Sequence, residues 1–210
     1  MKNCLLLLCY FCISSCSAIV PSSSVSDIWL INSLEKIGDA PVAIEGNPQL
    51  IDTALGKVAS FDGDGDRLLV DKNPLAGANE FTIEIIFNPA NAFPKNTEPR
   101  FFHIEAEDNP NRRLTIELRL NDVQQWYLDA YIKSEKSQLT LIDSTRVHPI
   151  GRWAHAGINY TNKEFISYVN VKKELMGQVD YLPIATTAQT SIGERMKRIH
   201  WFKDEIEQVR

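Results

Sequence analysis

The chain has 210 residues, of which 44% are hydrophobic, enough to build the core of one domain of ordinary size. Its 22 basic and 27 acidic residues give a net charge of −5, and no more than two basic residues are ever adjacent. This balance argues against nucleic acid as a partner.

The N-terminus differs in composition from everything that follows. All the cysteines of the chain lie within its first 16 residues: Cys4, Cys9, Cys12 and Cys16. After the basic Lys2, residues 4–13 form an uncharged apolar stretch that is too short to span a bilayer. These features predict a signal peptide over residues 1–15 rather than a disulfide framework.

The sequence offers two alternative processing sites after this segment. The sequence ISSC, which ends at Cys16, resembles a bacterial lipobox and predicts lipidation of Cys16. The protein would then be exported and anchored in the bacterial cell envelope, with the Pro- and Ser-rich residues 16–24 as a flexible tether. The alternative is cleavage before Ile19, which would release a periplasmic or secreted protein.

From residue 25 onward the dominant pattern is short runs of β-forming residues that are broken by Gly, Pro, Asn and Asp. Residues 81–87 and 114–120 alternate apolar and polar side chains, which is typical of strands with one buried face. Strands are predicted at residues 58–61, 68–70, 81–87, 100–105, 114–120, 126–132, 139–142, 153–160 and 165–169. The absence of a convincing amphipathic helix favours an all-β antiparallel sandwich.

Six stretches in order resemble a bacterial laminin-G-like domain of the concanavalin A-like lectin/glucanase superfamily. They are VASFDGDG (58–65), FTIE (81–84), HPIGRWAH (148–155), YVN (168–170), SIGER (191–195) and the final strand WFKDEIEQVR (201–210). The resemblance implies a jelly-roll sandwich of two curved antiparallel sheets over residues 25–210. It also implies a domain of a kind that is often exported and often sugar-binding, but no single activity, since such folds host many functions.

The sequence departs from the family pattern at two positions where the family has glycine. Val171 follows Asn170 in a predicted tight turn, and valine tolerates a positive φ angle badly. Asp204 stands at the approach to the last strand. We therefore expect the turn at Val171 to be disturbed and the approach at Asp204 to be redirected.

The triplet Asp62, Asp64 and Asp66 invites comparison with a calcium loop, because carboxylates at alternate positions supply oxygen ligands. An EF-hand is excluded by Arg67 and Asn73, which occupy the places of its glycine and its glutamate. A Gly-Asp turn between two strands is the favoured interpretation, and no cofactor is predicted.

Strand alternation also predicts where a ligand would bind. A short connection joins residues 114–120 to 126–132, so these two strands are expected to form a hairpin with its polar side chains on one face. If the strands at 81–87 and 100–105 lie in the same sheet, Glu84, His103 and Glu105 extend that face. The candidate ligand-binding residues are Glu117, Arg119, Tyr127, Asp129, Tyr131, Glu105 and His103.

Three functions follow from this face. A carbohydrate-binding, lectin-like module is favoured, because carboxylates, guanidinium groups and tyrosine rings suit a hydroxylated ligand. A glycoside hydrolase or polysaccharide lyase would use Glu105, Glu117 and Asp129. Its weakness is that the Glu-x-Asp-x-x-Glu pattern of laminarinase-like relatives is absent, as are zinc-binding histidine spacings. The third function is a protein-interaction module that has no sugar site.

Overall fold

The computed structural model describes residues 25–210. The predicted signal peptide at 1–15, the lipidation at Cys16 and the tether at 16–24 lie outside this range. Within residues 25–210, no helix has the length and apolar character that a membrane crossing requires.

The described chain folds into β-strands alone. In chain order they are β1 (Trp29–Leu30), β2 (Lys36–Ile37), β3 (Ala40–Glu45), β4 (Gln49–Thr53), β5 (Gly56–Asp62), β6 (Arg67–Val70), β7 (Phe81–Pro89), β8 (Arg100–Ala106), β9 (Asn109–Leu120), β10 (Gln125–Ser134), β11 (Ser137–Ile142), β12 (His148–Pro149), β13 (Ala154–Thr161), β14 (Glu164–Val169), β15 (Lys172–Gln178), β16 (Gln189–Ile192) and β17 (Lys203–Val209). Every strand predicted by alternation forms, and the antiparallel sandwich is confirmed.

Two sheets make up the sandwich. The eight-stranded sheet has the order β15-β14-β13-β7-β17-β5-β4, with β1 also paired to β17. The nine-stranded sheet has the order β11-β10-β9-β8-β16-β6-β3-β2, with β12 paired to β10. Strands that are distant in sequence are therefore neighbours, as β7 and β17 are, which gives the jelly-roll arrangement that the family resemblance implied.

The hydrophobic core lies between the sheets. On β9, Leu114, Ile116 and Leu118 are fully buried, and they alternate with polar side chains that face away from the core. Phe87 of the eight-stranded sheet reaches across to Phe101 and Trp126 of the other sheet, at ring-centroid distances of 4.7 and 5.3 Å. Since residues 25–210 contain no cysteine, burial of such side chains holds the sandwich together, at about 25 cal/mol per Å².

The turn at Val171 forms in spite of the missing glycine, so the expected disturbance is wrong. Asn170 and Val171 both adopt positive φ angles, +48° and +61°. Asn170 secures the turn because its amide donates to the carbonyl of His155 at 2.8 Å and its Oδ1 accepts from the His155 amide at 3.0 Å. Valine is held in the backbone conformation that suits glycine, at a cost of about 1–2 kcal/mol.

Asp204 likewise retains a glycine-like backbone, with φ at +101°. Its strand is not redirected, because Asp204 remains in register with Phe61 of β5 and with Pro89 of β7. The final strand therefore lies inside the eight-stranded sheet, and the strain is carried locally by this residue.

Candidate functional site

The site is built on the β9–β10 hairpin. Asn121 closes its turn, since the Oδ1 atom of Asn121 accepts a hydrogen bond from the Gln125 amide at 2.9 Å. The resulting register places Glu117 opposite Asp129, and Arg119 opposite Tyr127. Because these residues alternate with the core side chains, both pairs lie on the outer face of the nine-stranded sheet.

Strand β8 extends this face on the other side of β9. An irregularity in register between Arg100 and Phe102 sets Arg100 opposite Glu117, while Phe102 remains in the core. Farther along the strand, His103 pairs with Thr115. The bulge thus adds a guanidinium group to the polar face of the hairpin.

These side chains surround a cavity of about 180 Å³ on the outer face of the sheet. Its lining residues are Arg100, Arg113, Thr115, Glu117, Arg119, Asp129, Tyr131, Thr140 and Arg195. Four of the seven candidate residues from the sequence are therefore brought together here. Tyr127, His103 and Glu105 share the face without lining the cavity. Glu84 belongs to the other sheet, where it contacts His155.

Both carboxylates of the cavity are held by arginines. An oxygen of Glu117 lies 2.7 Å from Nε of Arg100. One oxygen of Asp129 accepts a hydrogen bond from Nε of Arg119 at 2.8 Å, and the same oxygen lies 2.7 Å from Nη2 of Arg119. Glu98 completes the network with ion pairs to Arg119 and to Arg100. The second oxygen of Asp129 is buried and has no hydrogen-bond partner within residues 25–210.

Burial sets the electrostatics of this pair of carboxyl groups. It raises the pKa of Glu117 against the opposing charge of Arg100. It also raises the pKa of Asp129 against the hydrogen bond from Arg119. Glu117 and Asp129 are only 6% and 2% exposed, so water contributes little to their solvation. A ligand that donates hydrogen bonds to them would replace solvation that they lack.

His103 binds a neighbouring loop and does not line the cavity. It is fully buried, and its Nδ1 accepts from the amide of Met196 at 3.1 Å. Because Nδ1 accepts, the proton of the neutral ring is on Nε2, which lies 3.4 Å from Glu105. Burial lowers the pKa of His103, so the ring is neutral at pH 7. His103 thereby supports the loop between β16 and β17, which carries Arg195.

Sequence reasoning missed five residues of the cavity lining: Arg100, Arg113, Thr115, Thr140 and Arg195. Arg113 and Thr115 lie two and four residues before Glu117 on β9 and therefore share its face of the sheet. The two-residue period that predicted Glu117 thus also applied to them. Arg100 reaches the cavity through a bulge, and Arg195 comes from a loop. Neither of these two carries a periodic signal.

A second cavity of about 470 Å³ lies among loops of the sandwich. It is lined by Glu45, Gly46, Gly65, Glu194, Arg198 and Trp201. Glu194 is 1% exposed, and burial raises its pKa to about 6. Trp201 lies partly exposed at this cavity, while its neighbour Phe202 is in the core.

The aspartate triplet forms a turn and does not converge on one point. Asp66 is buried and accepts from the amides of Asn47 and Asp62 at 2.6 and 2.8 Å. Asp64 points outward and pairs with Lys95 at 3.3 Å. In the part of the chain that the structure describes, no group of three or more His, Cys, Asp or Glu side chains is arranged to hold a metal ion.

The two-sheet jelly roll defines a domain of the concanavalin A-like class. A laminin G-like family model, described as the "Concanavalin A-like lectin/glucanases superfamily", matches residues 62–210. The chain belongs to this superfamily. No curated protein sequence matches the chain.

Solved structures with the same fold are similar to this chain at low sequence identity. Domain 4 of AbnA, a GH43 extracellular arabinanase from Geobacillus stearothermophilus solved with arabinotriose, is 17% identical with a TM-score of 0.64. That match covers 87% of this chain and 89% of the domain. The heptameric SAP-like pentraxin from Limulus polyphemus is 13% identical with a TM-score of 0.55, over 70% of this chain and 71% of its own.

A third similar structure is the binding domain of botulinum neurotoxin DC in complex with SialylT, with 18% identity and a TM-score of 0.55. The match covers 87% of this chain but only 45% of the neurotoxin domain, so the chain spans about half of that protein. At these identities the likeness establishes the fold alone.

Proposed function

We propose that this protein is an exported carbohydrate-binding module, and that the cavity on the outer face of the nine-stranded sheet is its sugar site. The observation that carries the proposal is the cavity itself, in which Glu117, Asp129 and Tyr131 meet several guanidinium groups. A sugar ring offers hydroxyl groups that both donate and accept hydrogen bonds. The cavity supplies the opposite partner for each role.

The donors and acceptors are preorganised for such a ligand. The buried, unpartnered oxygen of Asp129 lacks a donor that a sugar hydroxyl would supply. Arg113 lies over the ring of Tyr131 at 5.2 Å, and the Tyr131 hydroxyl donates to Gln138 at 3.0 Å. This fixes the Tyr131 ring, whose apolar face is suited to stack on the C–H face of a sugar.

The size of the cavity limits how much ligand it takes. A volume of about 180 Å³ is smaller than the roughly 300–1,000 Å³ of sites that enclose drug-sized molecules. We therefore expect the cavity to hold one sugar ring or the end of a chain, while the rest of a glycan lies along the sheet. The arabinotriose in the AbnA domain and the SialylT in the neurotoxin domain support a glycan ligand for this fold.

We also propose that the module acts at the bacterial cell surface. The support is the apolar N-terminal segment and the lipobox-like sequence before Cys16. A lipid at Cys16 and the tether at residues 16–24 would hold the domain near the membrane while leaving the sheet face accessible.

A glycan array with the purified protein tests the carbohydrate proposal, and titration calorimetry then measures affinity for a bound glycan. Glu117→Gln is expected to weaken binding roughly 10-fold or more, because hydrogen bonds to a charged group are the strong ones. The matched control is Glu84→Gln, the same substitution on the other sheet, which should leave affinity unchanged. No bound glycan on a broad array would instead favour the protein-interaction module.

A hydrolase is the second candidate, and the observation that favours it is the cross-strand pairing of Glu117 with Asp129, whose pKa values are both raised. A glycosidase requires one protonated and one ionised carboxyl group across the bond that it cleaves. Release of reducing ends from a bound glycan, abolished by Glu117→Gln and by Asp129→Asn, would establish this activity. Binding with no release leaves the module non-catalytic.

A further inference from the structure

Arg195 differs from the other arginines of the cavity because, within residues 25–210, it forms no ion pair with a carboxylate. Arg100, Arg113 and Arg119 each lie within 4.0 Å of a carboxylate: Glu117, Glu105 and Asp129 respectively. The Nε atom of Arg195 is buried and has no hydrogen-bond partner within residues 25–210. Burial, together with the charges of Arg100 and Arg113, lowers the pKa of Arg195.

The lining of the cavity is also richer in guanidinium groups than in carboxylates. It contains four guanidinium groups but only two carboxylates, those of Glu117 and Asp129. Arg100 is 7% exposed, and its Nη1 atom is buried without a hydrogen-bond partner among the described residues. Such an unpartnered buried donor is costly unless a ligand accepts from it.

The loop that carries Arg195 is held in place. The Gly193 amide donates to the carbonyl of Phe101 at 3.1 Å, and the Met196 amide donates to His103 at 3.1 Å. Gly193 has a φ of +94°, and a side chain there would meet the ring of Phe61 at 2.5 Å. The loop therefore requires glycine at this point and presents Arg195 to the cavity in one position.

We propose that the cavity selects glycans that carry an anionic group, a carboxylate or a sulfate ester, and that Arg195 receives this group. The guanidinium fork of Arg195 matches two oxygens of either anion, and Arg100 lies at the same cavity to share the charge. The inference rests on the proposed function, since it names the class of sugar that the proposed site takes.

The test is an array on which uronate-containing, sialylated and sulfated oligosaccharides stand beside their neutral counterparts. The best-bound glycan is then titrated into wild-type protein and into Arg195→Gln, Arg195→Lys and Lys197→Gln. Lys197 is the matched control, because it is exposed on the same loop and its substitution removes the same charge.

We expect the array to favour anionic glycans, with uronate and sulfate arms showing which anion is preferred. Arg195→Gln should weaken binding roughly 10–100-fold, because a charge-assisted hydrogen bond is lost. Arg195→Lys should retain part of the affinity, and Lys197→Gln all of it. Added salt should weaken wild-type binding more than that of Arg195→Gln. If Arg195→Gln fails to fold, the Arg195→Lys variant and the salt dependence carry the test.

The outcomes separate the inference from the proposed function. Equal binding of anionic and neutral glycans, or no effect of either Arg195 substitution, would overturn the inference and leave the carbohydrate site standing. An array with no bound glycan at all would overturn both.

Discussion

Glu117 and Asp129 face each other across the β9–β10 hairpin, and each is bound to a different arginine. Arg100 lies 2.7 Å from Glu117, and Arg119 lies 2.7 Å from Asp129. Two acidic side chains directly opposite each other would repel, and the two guanidinium groups remove this repulsion. The arginines therefore fix the positions of both carboxylates at the cavity.

Arg119→Gln should destabilise the fold, because it leaves the buried carboxylate of Asp129 without its partner. Breaking a buried ion pair costs roughly 3–5 kcal/mol, and we expect the lower end because the Arg119 side chain is 24% exposed. Urea unfolding measures the loss. The control Lys57→Gln breaks an exposed pair with Asp52 and should cost less than about 1 kcal/mol. Equal losses in the two variants would show that the Arg119 pair is not buried in solution.

Asp204 should make stability depend on pH. Burial, together with the hydrogen bond and charge of Glu205, raises the pKa of Asp204 from 3.8 to about 7. The folded state thus binds this proton more tightly than the unfolded state, so the contribution is full below pH 3.8 and is lost as pH rises through about 7. Asp204→Asn removes the titrating group and should flatten the decline in the free energy of unfolding between pH 4 and 7.

Asparagine is the informative substitution here, because it retains the shape of aspartate and tolerates a positive φ. Asp52→Asn serves as its control, since the Asp52 side chain is 84% exposed and should leave the pH profile unchanged. A profile for Asp204→Asn that is parallel to wild type would refute a raised pKa.

Val171→Gly should stabilise the protein. Relief of the positive φ gains about 1–2 kcal/mol, and the greater freedom of glycine in the unfolded chain costs about 0.5–1 kcal/mol. Val171 is 86% exposed, so little packing is lost. The control Val123→Gly lies in an exposed turn whose φ is not positive, and it should lower stability instead. A lower thermal midpoint for Val171→Gly would contradict the strained turn.

Cys16→Ala tests the proposed anchor. The intact mass of protein from the membrane fraction should include a lipid on wild type, and the variant should move to the soluble fraction. A mature N-terminus at Ile19 without lipid mass would replace the anchored protein with a freely released one.

The sequence predicted the hairpin at the centre of the site because alternation is strict there. In β9, four aliphatic side chains lie on the face opposite Thr115, Glu117 and Arg119. A shift of the strand register by one residue would expose all four aliphatic side chains to solvent. Strand β15 was not predicted, since it is an edge strand of mostly exposed, polar residues (KKELMGQ) with no buried face to impose a pattern. Alternation thus identifies a strand only where one of its faces is packed.

Two of the missed cavity residues, Arg100 and Arg195, had no such pattern in the sequence. Arg100 enters the cavity through a register shift, and Arg195 enters it from a loop whose position depends on contacts with Phe101 and His103. These contacts join residues that are about ninety positions apart, and no local pattern encodes them. The polar face was predictable from the sequence, whereas the contributions of Arg100 and Arg195 required the fold.

The most direct test of the central claim compares the two cavities on one glycan array. Tyr131→Ala removes an aromatic ring from the cavity on the sheet face, and Trp201→Ala removes one from the loop cavity. We expect wild type and Trp201→Ala to bind the same glycans and Tyr131→Ala to lose them, with circular dichroism confirming that all three fold. Glycan binding that is lost in Trp201→Ala but retained in Tyr131→Ala would place the sugar in the other cavity and contradict this account.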